Sequence, residues 1–405
     1  MSPESKVKRE LENKSGISII SLIDGLIEEA QNSRASDIHI DPREKDVRVR
    51  LRIDGVLKDA YSLPREIHSE VITRVKVLAG LRTDEHQAAQ DGRFRTIFEG
   101  ANPIDIRVSI APAYYGENCV LRLLSEHAEK FTIDTMGFSS EDLTKIKNAI
   151  QKPYGMILAT GPTGSGKTTT LYTFLKSLHK PEISIITIED PIEYSIEGVN
   201  QIQVNRKTEL TFANGLRAIL RQDPDIIMVG EIRDRETAGL AINTALTGHL
   251  VLSTLHTNDA ATTLPRMLDL GLEPYLITAT VNLVIAQRLV RKICSFCKEG
   301  REATDAALKE LAKSFGVAPL TKGAMIYKGK GCEVCNNSGY RGRLGIFEVI
   351  LVNDAIRQAM LERRSSSDIR KIARGEGMKT MVEDGFKKVL EGVTSIEEIL
   401  RVVHE

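Results

Sequence analysis

Residues 161–168 read Gly-Pro-Thr-Gly-Ser-Gly-Lys-Thr and directly follow the apolar run Met156-Ile157-Leu158-Ala159. This G-x-x-x-x-G-K-[ST] pattern constrains the chain more than any other feature, because it works only between a strand and a helix. Glycines let the backbone wrap a polyphosphate with no Cβ in the way. The N–H groups of the loop and of the following helix N-terminus then face anionic oxygens. Gly161, Pro162, Thr163, Gly164, Ser165, Gly166, Lys167, Thr168 and Thr169 are the expected nucleotide-binding residues. Lys167 reaches the β- and γ-phosphates, and Thr168 offers its hydroxyl to Mg²⁺. A plain glycine-rich turn has no use for the Lys-Thr pair, so the chain reads as a binder of ATP or GTP.

At 405 residues the chain is too long for one ordinary core, and two or three domains are expected. A formal net charge of zero gives no global reason to expect nucleic acid. The N-terminus Met-Ser-Pro-Glu carries no apolar signal core. The longest apolar stretch, Tyr275 to Val290, contains Asn282 and Gln287 and is too short to span a bilayer. A cytoplasmic chain, held at a membrane only through a partner, is the expectation. Five cysteines in such a setting argue against a disulfide framework.

Residues 1–16 are polar and read as frayed. The spacing Ile19, Leu22, Ile23, Leu26, Ile27, Ala30 predicts an amphipathic helix. Alternation in 47–53, where every second residue is Arg, predicts a strand ending at the turn Asp54-Gly55. A helix is expected over 67–78 and strands over 93–98, 104–110 and 118–124. Residues 17–124 thus form a small α+β domain, followed by a linker over 125–133. Apolar strands at 155–160, 183–188, 225–230 and 250–255 alternate with helical patterns, the βαβ arrangement of a mainly parallel sheet. This α/β nucleotide-binding core is assigned to 134–289, a four-cysteine module to 290–350 and a helical C-terminal subdomain to 351–405.

In open parallel sheets, ligands bind at the carboxyl ends of the strands. Three strands here end in polar motifs: Glu189-Asp190-Pro191-Ile192-Glu193, Gly230-Glu231-Ile232-Arg233-Asp234 and His256-Thr257-Asn258. Any one acid in such a place also fits a helix N-cap; three together beside a phosphate loop point to a catalytic site. Glu231 is the first candidate for polarising water, and Glu189 the second carboxylate, for metal or water positioning. A glycine, Gly230, stands where many P-loop enzymes place Asp. His256 is a candidate γ-phosphate contact, and His249 reads equally as a packed structural histidine. Arg217 and Arg221, four apart on a helix, are candidates for charge neutralisation at the nucleotide.

Cys294-x-x-Cys297 and Cys332-x-x-Cys335 are separated by 34 residues (298–331). Two such knuckles bring four thiolates into tetrahedral reach of one Zn²⁺. Cys119 sits in a strand and reads as core. Alternation in 118–124 puts Arg122 on a face with Val120 and Leu124, where an apolar residue fits better. A hairpin near Tyr114-Tyr115 brings it opposite Arg107. Like charges across strands are unfavourable unless something anionic lies between them. Either Asp105 or another acid neutralises the two arginines, or they clamp the phosphates of ATP.

The phosphate loop, the box 188–193, the run 220–234 and the box Thr247-Gly248-His249-Leu250-Val251-Leu252-Ser253-Thr254-Leu255-His256-Thr257-Asn258 occur in this order. Together they resemble the secretion-superfamily ATPases of type II secretion and type IV pili. Ala35-Ser36-Asp37-Ile38-His39-Ile40 resembles the family's second N-terminal domain. The resemblance implies a RecA-like P-loop ATPase core preceded by a PAS-like α+β domain and followed by a zinc module and a helical cap. It implies a homo-hexameric motor on the cytoplasmic face of the inner membrane, peripheral through its partners, the cytoplasmic domains of platform and assembly proteins. ATP, Mg²⁺ and Zn²⁺ are the implied cofactors, with Arg107 and Arg122 at positions where the family carries arginines. Four cysteines fit assembly and secretion motors rather than retraction motors. Other readings are a DNA-uptake or type IV secretion ATPase of the same superfamily, and a binding module that does not hydrolyse nucleotide. Assembly ATPases usually carry a further N-terminal domain. Only about 16 residues precede the first domain, so either such a domain is missing from this sequence or docking takes another route.

Overall fold

The computed structural model describes residues 6–13, 16–98, 102–124, 131–304 and 323–404. They divide into two compact units, Met1–Lys130 and Phe131–Glu405. Among the described residues, no helix is long and apolar enough to cross a membrane.

The first unit is a six-stranded antiparallel sheet in the order β3-β2-β1-β6-β5-β4. Its strands are β1 (Ala35–Pro42), β2 (Asp46–Ile53), β3 (Val56–Pro64), β4 (Gln90–Thr96), β5 (Ile104–Ala113) and β6 (Gly116–Leu124). The helices α2 (Ile19–Asn32) and α3 (His68–Ala79) cover one face. Leu22, Ile23, Leu26 and Ile27 of α2 and Val71, Ile72 and Val75 of α3 pack on Ile38, Ile40, Val49, Ile106, Val108 and Leu121. Alternation leaves Arg48, Arg50 and Arg52 on the other face.

Two expectations change here. Residues 6–11 form a helix, α1 (Lys6–Leu11), rather than a frayed end. Its fully buried apolar residue, Val7, lies against Gly25 of α2, where an added Cβ would lie 3.2 Å from Val7 Cγ2. Lys6 Nζ meets Glu28 at 2.7 Å, and Glu10 accepts the Ser18 N–H at 2.6 Å. Val7 and Leu11, four apart among charged residues, make only one turn of apolar spacing, too short a pattern to mark a helix. On β6 the buried face is Cys119, Leu121 and Leu123, and Arg122 belongs to the outer face with Val120 and Leu124. Arg122 therefore occupies no core position. Burial does hold the Cys119 thiol at the core, pushing its pKa up to about 12.

The second unit is built on a seven-stranded sheet, β15-β12-β7-β11-β10-β8-β9. The strands are β7 (Gly155–Thr160), β8 (Ile185–Glu189), β9 (Asn200–Gln203), β10 (Ile226–Val229), β11 (Leu250–Leu255), β12 (Val281–Ile293) and β15 (Tyr340–Leu351). All neighbours run parallel except β15, which is antiparallel to β12. Every residue of β7, β8, β10 and β11 is buried, as a sheet covered on both faces requires. The helices α4 (Ser140–Ile150) and α5 (Lys167–Leu178) supply one apolar layer. The other comes from α6 (Phe212–Ile219), α7 (Arg235–Leu246), α8 (Ala260–Asp269), α9 (Pro274–Thr280) and four helices over 354–404.

The border expected at 289/290 falls inside β12, a single strand of 13 residues. β15, assigned to the cysteine module, is the edge strand of the same sheet. Residues 125–130 of the expected linker and 305–322 between the cysteine pairs lie outside the described residues. An antiparallel pair, β13 (Lys298–Glu302) and β14 (Met325–Gly329), lies on either side of residues 305–322 in the sequence.

Val7→Ala removes two methyl groups from the Gly25 contact. The expected loss is about 1.5 kcal/mol, seen as faster amide exchange over residues 6–32 in hydrogen-exchange mass spectrometry, with the second unit unchanged.

Candidate functional site

The loop of residues 161–166 leaves the carboxyl end of β7 and turns into α5. Gly166 caps this 12-residue helix in the left-handed region, and no side chain caps its first N–H groups. Those donors stay open to an anion at the positive end of the helix dipole. Gly161 has φ +141°, and a Cβ there would lie 2.4 Å from the Gln287 carbonyl oxygen. Lys167 Nζ donates to the Gly161 and Pro162 carbonyls at 2.8 and 3.0 Å. Burial, opposed by the charge of Glu231, brings its pKa down to about 8. Ser165 Oγ is buried without a hydrogen-bond partner. Uncapped helix donors, a half-buried ammonium and an orphaned hydroxyl fit a polyphosphate. Thr168 and Thr169 occupy the first turn of α5.

The strand ends meet as the sequence pattern implies, since β11, β10 and β8 are neighbours. Glu231 follows β10 and is only 12% exposed in its side chain; Arg233 Nε contacts it at 2.6 Å and His256 Nε2 at 3.2 Å. Thus Glu231, His256 and Lys167 share one electrostatic environment. Gly230 has a packing reason: its N–H donates to the Ile188 carbonyl at 2.8 Å, and a Cβ would lie 3.3 Å from Glu189 Cα. The acids that cap helices are others, in or just after these motifs: Asp234 accepts the Thr237 N–H and Asp259 the Thr262 N–H, each at 2.8 Å.

Glu189 is turned inward. It is 3% exposed; one carboxylate oxygen accepts from Tyr172, the other from Thr187 at 2.6 Å and Gln201 at 3.1 Å. Burial raises its pKa against these three hydrogen bonds. In this arrangement its oxygens serve the interior. His249 precedes β11 at the opposite end from His256, with Nδ1 3.1 Å from the Thr244 carbonyl. Arg217 is committed to Glu236 at 2.6 Å and Asn214 at 3.1 Å, and Arg221 donates to the Arg217 carbonyl.

In the first unit, Arg107 and Arg122 are direct cross-strand partners. They belong to one row across the outer face: Arg93, Arg107, Arg122, Asp37, Arg52. Asp37 separates part of this charge, 2.9 Å from Arg122 Nε and 3.4 Å from Arg52 Nε. The neutralising acid is thus Asp37, while Asp105 approaches Arg95 at 3.9 Å.

The sulfurs of Cys294, Cys297, Cys332 and Cys335 all lie within 4.8 Å of one another. Three of the separations are 3.9, 3.9 and 3.7 Å. A disulfide needs about 2.05 Å. Four thiolates about 2.3 Å from a tetrahedral ion stand about 3.8 Å apart. The donor set therefore fits a thiophilic divalent ion. Cys335 Sγ also accepts N–H groups from Cys332 and Gly339 at 3.2 and 3.3 Å. Such hydrogen bonds stabilise thiolate charge.

Gln287 was not singled out by any motif, yet it holds the phosphate loop. Its Nε2 donates to the Ser165 carbonyl, and its Oε1 accepts from Thr170, both at 2.7 Å. A lone glutamine in the apolar stretch 275–290 was the available signal: a buried amide inside a strand needs partners. Thr160 and Thr257 were likewise unread; their hydroxyls meet at 2.6 Å and tie β7 to the segment after β11.

A model of the family described as Type II/IV secretion system protein matches residues 12–401. The type IV pilus assembly ATPase PilB of Thermus thermophilus is 49% identical over 375 residues, 93% of this chain but 42% of that protein. The type II secretion system protein E of Pseudomonas aeruginosa is 46% identical over 395 residues, 98% of this chain and 77% of that protein. The chain thus spans under half the length of the first relative and about three quarters of the second. Among solved structures, the pilus retraction motor PilT with bound ADP aligns with a TM-score of 0.63 at 27% identity, covering 93% of this chain and 95% of that one. The Legionella pneumophila ATPase DotB aligns over 98% of both chains with a TM-score of 0.69 at 22% identity, a likeness of fold.

Gln287→Ala deprives the Ser165 carbonyl and the Thr170 hydroxyl of their partner. Titration with a fluorescent ADP analogue is expected to show about tenfold weaker binding, equivalent to about 1.4 kcal/mol.

Proposed function

The chain belongs to the Type II/IV secretion system protein family, and from that premise we propose that it is an ATP-hydrolysing motor for pilin or pseudopilin assembly. The observation that carries this reading is the convergence of Lys167, Glu231 and His256 at the carboxyl edge of the parallel sheet, beside a loop with uncapped helix donors.

In this reading residues 134–289 are a RecA-like ATPase core, residues 17–124 are the PAS-like domain, and residues 351–405 are the helical cap. Loop N–H groups and Lys167 neutralise the phosphates, and Thr168 offers its hydroxyl to Mg²⁺. When bound, Mg²⁺ supplies charge neutralisation between the phosphates. Glu231 orients and polarises the attacking water, and His256 senses the γ-phosphate. Arg107 and Arg122 clamp the phosphates as arginine fingers; their place in a row of opposed arginines supports this, because like charges across strands favour an anion between them. Arg217 and Arg221 are assigned a lesser, indirect electrostatic role, given their contacts with Glu236 and backbone. Glu189 positions rather than ligates, consistent with its buried hydrogen bonds.

The working state is a homo-hexamer at the cytoplasmic face of the inner membrane. It is held there by the cytoplasmic domains of platform and assembly proteins, with no nucleic acid bound. The four cysteines hold one structural Zn²⁺, which contributes folding energy to the module around it. They favour an assembly or secretion motor.

Two measurements test this. Lys167→Ala is expected to abolish nucleotide binding, whereas Glu231→Gln keeps binding and lowers kcat at least about a hundredfold. Wild-type turnover in Glu231→Gln would remove the glutamate from its role. ATP binding with no turnover by the wild-type chain in its hexameric form would leave a binding module instead.

Elemental analysis of freshly purified, reduced protein is expected to find one zinc per chain. Cys332→Ser should lose the metal and unfold residues 291–345 locally, because metal binding there is folding energy. Protein that is metal-free and equally protease-resistant would contradict the site.

A further inference from the structure

Glu348 sits in the middle of β15 and is 5% exposed. It is opposite Ala286 on β12, which is opposite Thr160, the last residue of β7. A charged side chain two strands from the phosphate loop, inside an apolar stretch, requires partners. Its partners are the starts of two helices. Oε2 accepts the N–H of Ala260, the first residue of α8, at 3.2 Å; Oε1 accepts the N–H of Met381, the first residue of the helix Met381–Leu390, at 3.4 Å. Each helix has 10 residues. A carboxylate between two helix N-termini complements both dipoles.

These helices belong to different parts of the second unit. α8 begins immediately after the segment His256–Asp259, whose first residue contacts Glu231. Thr257 in that segment bonds Thr160, and its hydroxyl also donates to the Asp259 carbonyl at 3.2 Å. Asp259 in turn receives Arg370 Nη2, from the helix Ser366–Gly375, at 2.6 Å. Two polar ties thus leave one short segment of the nucleotide site for the C-terminal helices: Ala260 through Glu348 to Met381, and Asp259 to Arg370. Glu348 spans the loop that contacts Glu231 and a helix that carries no nucleotide-site residue.

We propose that Glu348, seconded by Arg370, is a positioning residue that couples the His256–Asp259 segment to the helices over 366–390, so that events at the nucleotide reach those helices and those helices set the segment for hydrolysis. This rests on the reading that the phosphate loop binds and hydrolyses ATP.

The test uses the full chain and two variants. Glu348→Gln keeps the size but turns an NH₂ group toward an N–H donor. Arg370→Gln cuts the second tie at a partly exposed side chain, and Arg370→Lys restores it. For each, kcat and KM for ATP are measured, together with amide exchange over 366–390 with and without ADP. Coupling predicts that ADP alters exchange over 366–390 in the wild type and does not in Glu348→Gln. It also predicts kcat lowered about fivefold or more, KM within about twofold, and partial return in Arg370→Lys. Should Glu348→Gln not fold, Arg370→Gln decides by the same readouts. Folded variants with wild-type kcat and a wild-type ADP response overturn the coupling, as does a wild type whose 366–390 amides ignore bound ADP. A wild-type chain that neither binds nor hydrolyses nucleotide takes down the functional reading and this inference with it. A wild type that does both beside normal variants removes the coupling alone.

Discussion

Burial of a parallel sheet on both faces is the constraint from which the rest of the second unit follows. Four consecutive strands in the sheet, β7, β11, β10 and β8, have no solvent-facing residue. Charged chemistry then has one outlet, the carboxyl ends of the strands, where backbone donors and helix N-termini converge. Lys167, Glu231 and His256 meet there because the strand order places β7, β11 and β10 side by side. Several polar groups inside the sheet fix its ends: Ser253 and Thr254 on the Val229 and Gly230 carbonyls, each at 2.7 Å, and Gln287 on the phosphate loop.

The same economy explains why Glu189 and Glu231 behave differently although each closes a strand. Glu231 lies one residue beyond Gly230, outside the ladder, and keeps a solvent-facing arginine and histidine as partners. Glu189 is still a ladder residue, paired with Gln203 on β9. Its side chain is drawn into the layer between sheet and α5, where Tyr172 awaits it. Burial raises the pKa of both groups of that pair, and the carboxyl and the phenol face each other rather than water.

The first unit solves a different problem. Its antiparallel sheet has one wet face, and four arginines of that face share a single register row. Arg107 and Arg122 stand directly opposed, with Arg93 beyond one and Asp37 beyond the other. Asp37 answers Arg122 and Arg52 at 2.9 and 3.4 Å, and the direct opposition of Arg107 and Arg122 sets two like charges next to each other across the strands.

The phosphate loop, the polar strand ends, the cysteine knuckles and the alternating βαβ pattern were all legible in the chain because each rests on local spacing: a loop between strand and helix, a period of two or of 3.6, two residues between thiols. The opposition of Arg107 and Arg122 was legible for the same reason, since one hairpin turn sets its register. Tertiary structure decided what spacing cannot carry. Arg122 faces outward because helices cover the Cys119 face, and Val7 makes a helix of a polar end because Gly25 leaves room for it. Glu189 turns inward because Tyr172, Thr187 and Gln201 converge on it from three separate elements. Gln287 holds the phosphate loop from 122 residues away, and Glu348 joins two helix starts that the sequence keeps far apart. A hydrogen bond constrains direction and distance between groups, so its partner is fixed only when the layers close.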